Sequence, residues 1–190
     1  MKTIKFKSFG NRNIYAHRKC IRLDLELDGY DEKYLKGLDY FNEKLVLMVP
    51  ELALHQCGTG ERLGFVRSLC NKTSLNHICG HVAIALQNMI GIQVSFSTES
   101  KPGSDGCYTV YEYKLENTGM EAGKIAVEII NSIINDIEID LDPYLNTLRE
   151  TLEMEVPEIS ISDPVEEAGK RNCNKDFPLV SVTGTNGKTT

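Results

Sequence analysis

The sequence predicts an α+β fold in three parts: a compact two-layer domain over residues 1–155, a linker over 156–177, and the truncated beginning of an α/β ATPase-type domain over 178–190. Three observations support this prediction. Several segments alternate polar and apolar residues, which is the period of a half-buried strand. Others repeat apolar residues every three or four positions, as a helix packed on one side does. The last apolar run leads into a glycine-rich loop, as a buried parallel strand before a phosphate site does.

The elements of the first part alternate between strands and helices. The chain opens with two half-buried strands, "TIKFKSF" and "CIRLDLEL", and then "DEKYLKGLDYFNEKLVLMV" has helical spacing that Pro50 ends. After the glycine-rich loop "ALHQCGTGERLGF" we expect a helix, two strands and two helices, namely "SLNHICGHVAIALQNMIG", "IQVSFSTES", "CYTVYEYKL", "GKIAVEIINSIINDI" and "DPYLNTLRETLEME". The prolines and acids of residues 156–177 are typical of a linker.

Composition and charge restrict the class of protein. The chain has 190 residues, no apolar run near the roughly 18 residues of a membrane span, and a net charge of −6. Its six cysteines show no CxxC pair, which favours reduced thiols in a cytoplasmic protein. We therefore expect a soluble, cytoplasmic protein without a membrane partner.

The N-terminal charges are uneven. Six cations and no acid occur up to Lys19, namely Lys2, Lys5, Lys7, Arg12, Arg18 and Lys19. This basic edge either meets an anionic substrate or is an ordinary solvated strand face, and the sequence leaves both interpretations open. No nucleic acid is expected as a partner, because aromatic residues do not interleave with these charges.

The segment "PLVSVTGTNGKTT" at 178–190 has the chemistry of a phosphate loop. Its glycines free backbone N–H groups to face phosphate oxygens, Lys188 offers a charge to the β/γ-phosphates, and the Thr189 hydroxyl can bind Mg²⁺. The common GxxxxGK[ST] spacing is not met, because Val182 stands at the first glycine position. The predicted nucleotide-binding residues are Gly184, Thr185, Asn186, Gly187, Lys188 and Thr189.

Two resemblances follow from these motifs. The string "VSVTGTNGKTT" resembles the ATP loop of the Mur ligase family, whose members activate a carboxylate as an acyl phosphate and capture it with an amine. The segments "RLDLEL", "HICGHVAIALQNMIG" and "DPVEEAGKR" are similar to the N-terminal domain of the cyanophycin synthetase family. In that family an ATP-grasp module lies between this domain and the Mur-like module, and here it is missing.

The resemblances imply the N-terminal part of an ATP-dependent amino-acid ligase. Such an enzyme uses ATP and Mg²⁺, acts on an amino acid and a peptide or polyamide, and assembles as a homo-oligomer. A Mur-type site also needs a helix after the loop, further ligands and a C-terminal domain, so residues 1–190 alone are not expected to ligate. No catalytic residue is therefore predicted in this stretch.

The helix "SLNHICGHVAIALQNMIG" carries His77 and His81 at positions i and i+4, the spacing of helical zinc sites. The apolar residues around them mark a buried helix, in which histidines are more often hydrogen-bonded core residues than metal ligands. In the cyanophycin synthetase family the matching helix can read H-x-x-E-H, whose glutamate activates a metal-bound water. Gly80 takes the glutamate's place here, and His55 or Cys57 would supply a third ligand for Zn²⁺.

Three hypotheses for function remain. The first is the substrate-handling part of the ligase just described. The second is a non-catalytic binding domain for a charged polyamide, whose carboxylates would meet Arg18, Lys19, Arg62 and Arg67. The third is a metal-dependent hydrolase-like domain that has lost its catalytic glutamate.

Overall fold

The computed structural model describes residues 1–27, 39–58, 60–70, 73–100 and 106–156, all within one compact unit, Met1–Pro157. The predicted linker beyond Val156 and the predicted nucleotide-binding residues from Gly184 to Thr189 lie outside the described residues, so both stay predictions.

A four-stranded antiparallel sheet forms one layer of the described part. Its strands are β1 (Lys2–Phe9), β2 (Cys20–Glu26), β3 (Ser97–Glu99) and β4 (Cys107–Glu112), in the order β1-β2-β4-β3. Leu23 of β2 lies between Phe6 of β1 and Thr109 of β4. The alternation of β2 places Ile21, Leu23 and Leu25 in the core, with at most 2% exposure, as its period-two pattern predicts.

The helices form the second layer. They are α1 (Asp39–Met48), a 3₁₀ helix (Pro50–Leu54), α2 (Gly64–Leu69), α3 (Leu75–Met89), α4 (Glu116–Ile134) and α5 (Asp142–Glu155). Helices α3 and α4 pack against each other and against the sheet, and α5 packs against α4. The described part is thus a two-layer α+β domain, as predicted, and none of its helices is both long and apolar enough to cross a membrane.

Glycines bring α4 close to the sheet. A Cβ at Gly119 would lie 2.8 Å from Ile21 Cδ1 and 2.8 Å from Tyr113 Cβ, and a Cβ at Gly123 would collide with the Tyr111 hydroxyl. That hydroxyl donates a hydrogen bond to Gly119 O at 2.9 Å. The buried ring of Tyr111 therefore occupies the space that a side chain on α4 would need.

Two predicted elements have different bounds in the structure. The strand expected over 92–100 is limited to Ser97–Glu99, because Glu112 Oε2 accepts the backbone N–H groups of Ser95 (3.1 Å) and Phe96 (3.3 Å). The helix expected to start at residue 123 starts at Glu116, since Glu155 Oε2 accepts the Thr118 N–H at 2.9 Å and caps its first turn. The segment predicted as a loop over 53–65 includes the end of the 3₁₀ helix and the start of α2.

Candidate functional site

Three elements converge on a group of polar side chains, which we call the histidine–thiol cluster (His55, Cys57, His77, His81 and Glu99). Helix α3 supplies both predicted histidines, one turn apart, with ring centroids 4.7 Å from each other. The segment after the 3₁₀ helix supplies His55 and Cys57, and β3 supplies Glu99. The structure therefore brings together the histidine pair and both residues predicted as a third ligand.

His77 joins the thiol to the carboxylate. Its Nε2 lies 3.1 Å from Cys57 Sγ, and its Nδ1 lies 3.1 Å from Glu99 Oε2. The hydrogen bond from His77 lowers the pKa of Glu99, which stays a carboxylate near neutral pH. This carboxylate accepts a hydrogen bond from the N–H group at His77 Nδ1. This contact orients Nε2 towards the thiol and the open side of the cluster.

His81 lies deeper and is held neutral. Its Nδ1 is 2.9 Å from His55 Nδ1, and its ring stacks on Phe65 with centroids 4.2 Å apart. Burial, followed by the charges of His77 and His55, lowers the pKa of His81 far below its usual value, and burial lowers that of His55 to about 4. His55 Nε2 is buried and has no hydrogen-bond partner among the described residues.

Cys57 has a strained backbone that aims its thiol at α3. Its φ of 41° lies in the left-handed region, which a residue with a side chain rarely adopts, and Gly58 and Gly60 follow at 72° and 74°. Such strain persists only where the surrounding contacts demand it. The Cys57 thiol makes one such contact, 3.1 Å from His77 Nε2.

The donor set suits a metal ion. One ligand atom from each of Cys57, His77 and His81 can be chosen so that all three lie within 4.8 Å of one another. Thiolate and neutral imidazole are the donors that zinc prefers, and the contacts of His77 with Glu99 and of His81 with His55 are the supporting contacts that ligating histidines usually make. His55 is outside this set of three and supports His81 instead.

Gly80 is required by packing at the position where an H-x-x-E-H helix has its glutamate. A Cβ there would lie 2.5 Å from Thr109 Oγ1 and 3.3 Å from Ser97 Cβ. Helix α3 and the sheet are too close at this point for any side chain. The described part of the cluster consequently has no carboxylate at the position of the missing general base.

The histidine–thiol cluster opens into a cleft of about 740 Å³. Beyond the cluster its lining is mixed: Asn88, Gln93, Ser95 and Ser97 are neutral and polar, and Leu54, Ile84, Val94 and Phe96 are apolar. Glu51 is the only carboxylate among its described lining residues. Neutral amide and hydroxyl groups of this kind suit the backbone of an amide-containing ligand.

The four cations predicted to hold a polyamide come from two separate stretches of the chain and have different contacts. Arg18 pairs with the buried Glu112 at 2.9 Å, and Lys19 Nζ lies 5.9 Å from the centre of the Tyr113 ring. Arg62 precedes α2 and Arg67 lies within it. Arg67 pairs with Glu61 at 2.6 Å. Sequence reasoning missed Glu99 and Phe65. Both residues are distant from the histidines along the sequence, so no local pattern indicates that the fold brings them together.

The fold and the cluster together define a small α+β domain with a histidine–thiol cluster at the edge of a cleft. The family described as "Cyanophycin synthase-like N-terminal domain" matches residues 21–135, and the chain belongs to this family. The match confirms the predicted resemblance of the N-terminal part, and it does not extend to the predicted Mur-type loop.

Individual relatives agree with the family match. The chain is 33% identical over 153 residues to the cyanophycin synthetase of Geminocystis herdmanii and 32% identical over 156 residues to that of Synechocystis sp.. Each alignment covers 79% of this chain and 18% of the relative. The cyanophycin synthetase of Crocosphaera subtropica is 32% identical over 138 residues, which cover 71% of this chain and 16% of the relative. The chain thus spans less than a fifth of the length of these relatives.

Proposed function

We propose that this chain is the N-terminal, substrate-handling part of an ATP-dependent ligase that forms amide bonds through an acyl phosphate. The observation that carries the proposal is the family match over residues 21–135, together with relatives that are named cyanophycin synthetases. The phosphate-loop motif ending at Thr190 supports the same class of reaction. In this proposal ATP and Mg²⁺ bind at residues 184–189, in the cytoplasm of the cell.

The described domain then has a binding role. Its cleft presents neutral amide and hydroxyl groups, and Gly80 stands where an H-x-x-E-H helix has its glutamate, which suits holding a polyamide rather than cleaving it. A domain that retains the growing chain raises the effective concentration of its end at a linked catalytic module. The amino acid, the polyamide and a homo-oligomeric assembly are its proposed partners.

The test is amide-bond formation by the natural gene product, purified from its source cells. ADP release should require ATP, Mg²⁺, an amino acid and a polyamide primer together. Lys188→Ala should abolish this activity, whereas Lys170→Ala, a matched change outside the loop, should leave it unchanged. ADP release that does not depend on primer and amino acid, or that survives Lys188→Ala, contradicts the proposal.

We propose as a second function that the histidine–thiol cluster binds one Zn²⁺ through Cys57, His77 and His81. The observation in its favour is the convergence of these three donors within 4.8 Å. The ion would join the glycine loop to α3 and could polarise a carbonyl group of a ligand in the cleft. Without an acid at position 80, we expect no peptide hydrolysis.

Zinc content tests this second function directly. Purified chain should hold about one zinc per molecule by plasma mass spectrometry, in line with a three-donor protein site. Cys57→Ala or His77→Ala should remove the metal, and Cys70→Ala, a change at an exposed cysteine, should not. Zinc that stays bound in both cluster variants would show that the ion lies elsewhere.

A further inference from the structure

Three members of the histidine–thiol cluster are connected in the order of a cysteine triad. Cys57 Sγ lies 3.1 Å from His77 Nε2, and His77 Nδ1 lies 3.1 Å from Glu99 Oε2. A nucleophile, a base within hydrogen-bond reach and a third group that orients the base are the parts of such a triad. The metal-free cluster therefore has the connectivity that activates a thiol for attack on a carbonyl carbon.

The Cys57 thiol can be reached from the cleft. Cys57 is half-buried, and among the five described cysteines it is the one that lines the cleft. Its φ of 41° is unfavourable for a residue with a side chain, and backbone strain of this kind is concentrated at active sites. The strained turn places the thiol between the cleft and His77.

His77 is held in the orientation that a general base needs. The Glu99 carboxylate on β3 accepts the hydrogen bond from Nδ1, which leaves the lone pair of Nε2 directed at the thiol. The His77 ring also stacks on Phe65, with centroids 6.0 Å apart and an interplanar angle of 23°. Contacts from two other elements thus fix the imidazole on α3.

The lining of the cleft favours an uncharged acyl group. Its volume is about 740 Å³, and Leu54, Ile84, Val94 and Phe96 give it apolar walls. Its described lining residues include no lysine or arginine, so an anionic ligand would have no cationic partner there. An activated ester suits this triad, because its leaving group departs as a stable anion and needs no second acid.

We propose that Cys57 is the nucleophile of an acyl-transfer site for activated esters of small, uncharged acyl groups, with His77 as general base and Glu99 as positioning residue. Sγ attacks the carbonyl carbon while its proton passes to His77 Nε2 and then to solvent. The carbon–oxygen bond to the leaving group breaks, and the leaving group keeps the electron pair. Water then attacks the thioester, which releases the carboxylic acid and returns a proton to Sγ.

This activity goes beyond the proposed ligase function and belongs to the metal-free cluster. Zn²⁺ bound at Cys57 would hold the thiolate as a ligand and withhold it from an ester. The same side chains therefore serve either as a metal site or as a nucleophile, according to whether the ion is bound.

The test is the reaction of the 190-residue chain with p-nitrophenyl butyrate, before and after a chelator removes any bound metal. Absorbance follows the release of p-nitrophenolate, and peptide mass spectrometry locates the butyryl group. In the metal-free chain, Cys57 should be acylated about a hundredfold faster than Cys70, an exposed cysteine outside the cleft, because only Cys57 has a general base. Added Zn²⁺ should suppress the fast reaction.

Variants separate the base from its support. Cys57→Ala should abolish the fast release, and His77→Ala should slow it about a hundredfold. Glu99→Ala should slow it about tenfold or more, because the imidazole loses its orientation. Glu99→Gln keeps an oxygen that can accept the Nδ1 hydrogen bond and should retain most of the rate. Thermal unfolding shows which variants fold, and the Glu99 variants change a side chain that is 36% exposed, so they keep the test decisive if His77→Ala unfolds the chain.

Two results would overturn this inference. One is equal acylation of Cys57 and Cys70 in the metal-free chain. The other is a Cys57 rate that stays unchanged in folded His77→Ala or Glu99→Ala protein. Neither result affects the proposed ligase function or zinc binding, because those functions do not require a nucleophilic thiol.

Discussion

Gly80→Ala is the most direct probe of how closely α3 approaches the sheet. The new Cβ would lie 2.5 Å from Thr109 Oγ1, and Thr109 is fully buried, so the neighbours must move. Overpacking of this kind costs about 1–3 kcal/mol. Replacing a mid-helix glycine by alanine returns about 1 kcal/mol through helix propensity. We expect a net loss of about 1 kcal/mol and a fall in Tm of about 2–4 °C for a domain of this size.

Urea unfolding followed by circular dichroism measures this loss, and a second substitution identifies its cause. Thr109→Ala removes the hydroxyl that the new methyl group meets, which leaves Ser97 Cβ at 3.3 Å as the nearest atom. In the Thr109→Ala background, Gly80→Ala should therefore be neutral or stabilising. Equal destabilisation by Gly80→Ala in both backgrounds would refute the steric reasoning, because the two sites would then be independent.

Three further predictions concern single side chains. Glu155→Ala should cost about 1–2 kcal/mol, as loss of a helix cap does, whereas Glu153→Ala on the same helix should be near neutral by urea unfolding. Burial opposes ionisation of Glu155, but hydrogen bonds from Thr118 and Asn117 prevail and lower its pKa, so its contribution is present above about pH 4.5 and declines as pH falls through the lowered pKa. Glu112→Gln, which loses the ion pairs with Arg18 and Lys114, should cost about 1.5–3 kcal/mol, with the exposed Glu128→Gln as its control. Zinc at a hundred times its Kd should stabilise the chain by about 2.7 kcal/mol, and a Cys57→Ser variant that is stabilised equally contradicts the cluster as the zinc site.

The local patterns of the sequence predicted the architecture better than the site. Period-two alternation located β1 and β2, and helical spacing over residues 31–49 located α1, because each of these patterns is determined by one face of the element. The alternation of residues 92–100 failed to predict the length of β3, since the N–H groups of Ser95 and Phe96 donate to the Glu112 side chain, although the Phe96 carbonyl still accepts the Glu112 N–H. Likewise, the pairing of His77 with Glu99 depends on the packing of α3 on the sheet and has no signature in sequence spacing.

The contact between Tyr111 and α4 has a consequence for how the family can diverge. The Tyr111 ring fills the space over Gly123, and its hydroxyl is anchored to the Gly119 carbonyl. A relative that acquires a side chain at the position of Gly123 must therefore shrink or remove the tyrosine, and neither change is tolerated alone. The two positions should covary across homologous chains, with a small residue on the helix wherever the strand keeps its tyrosine.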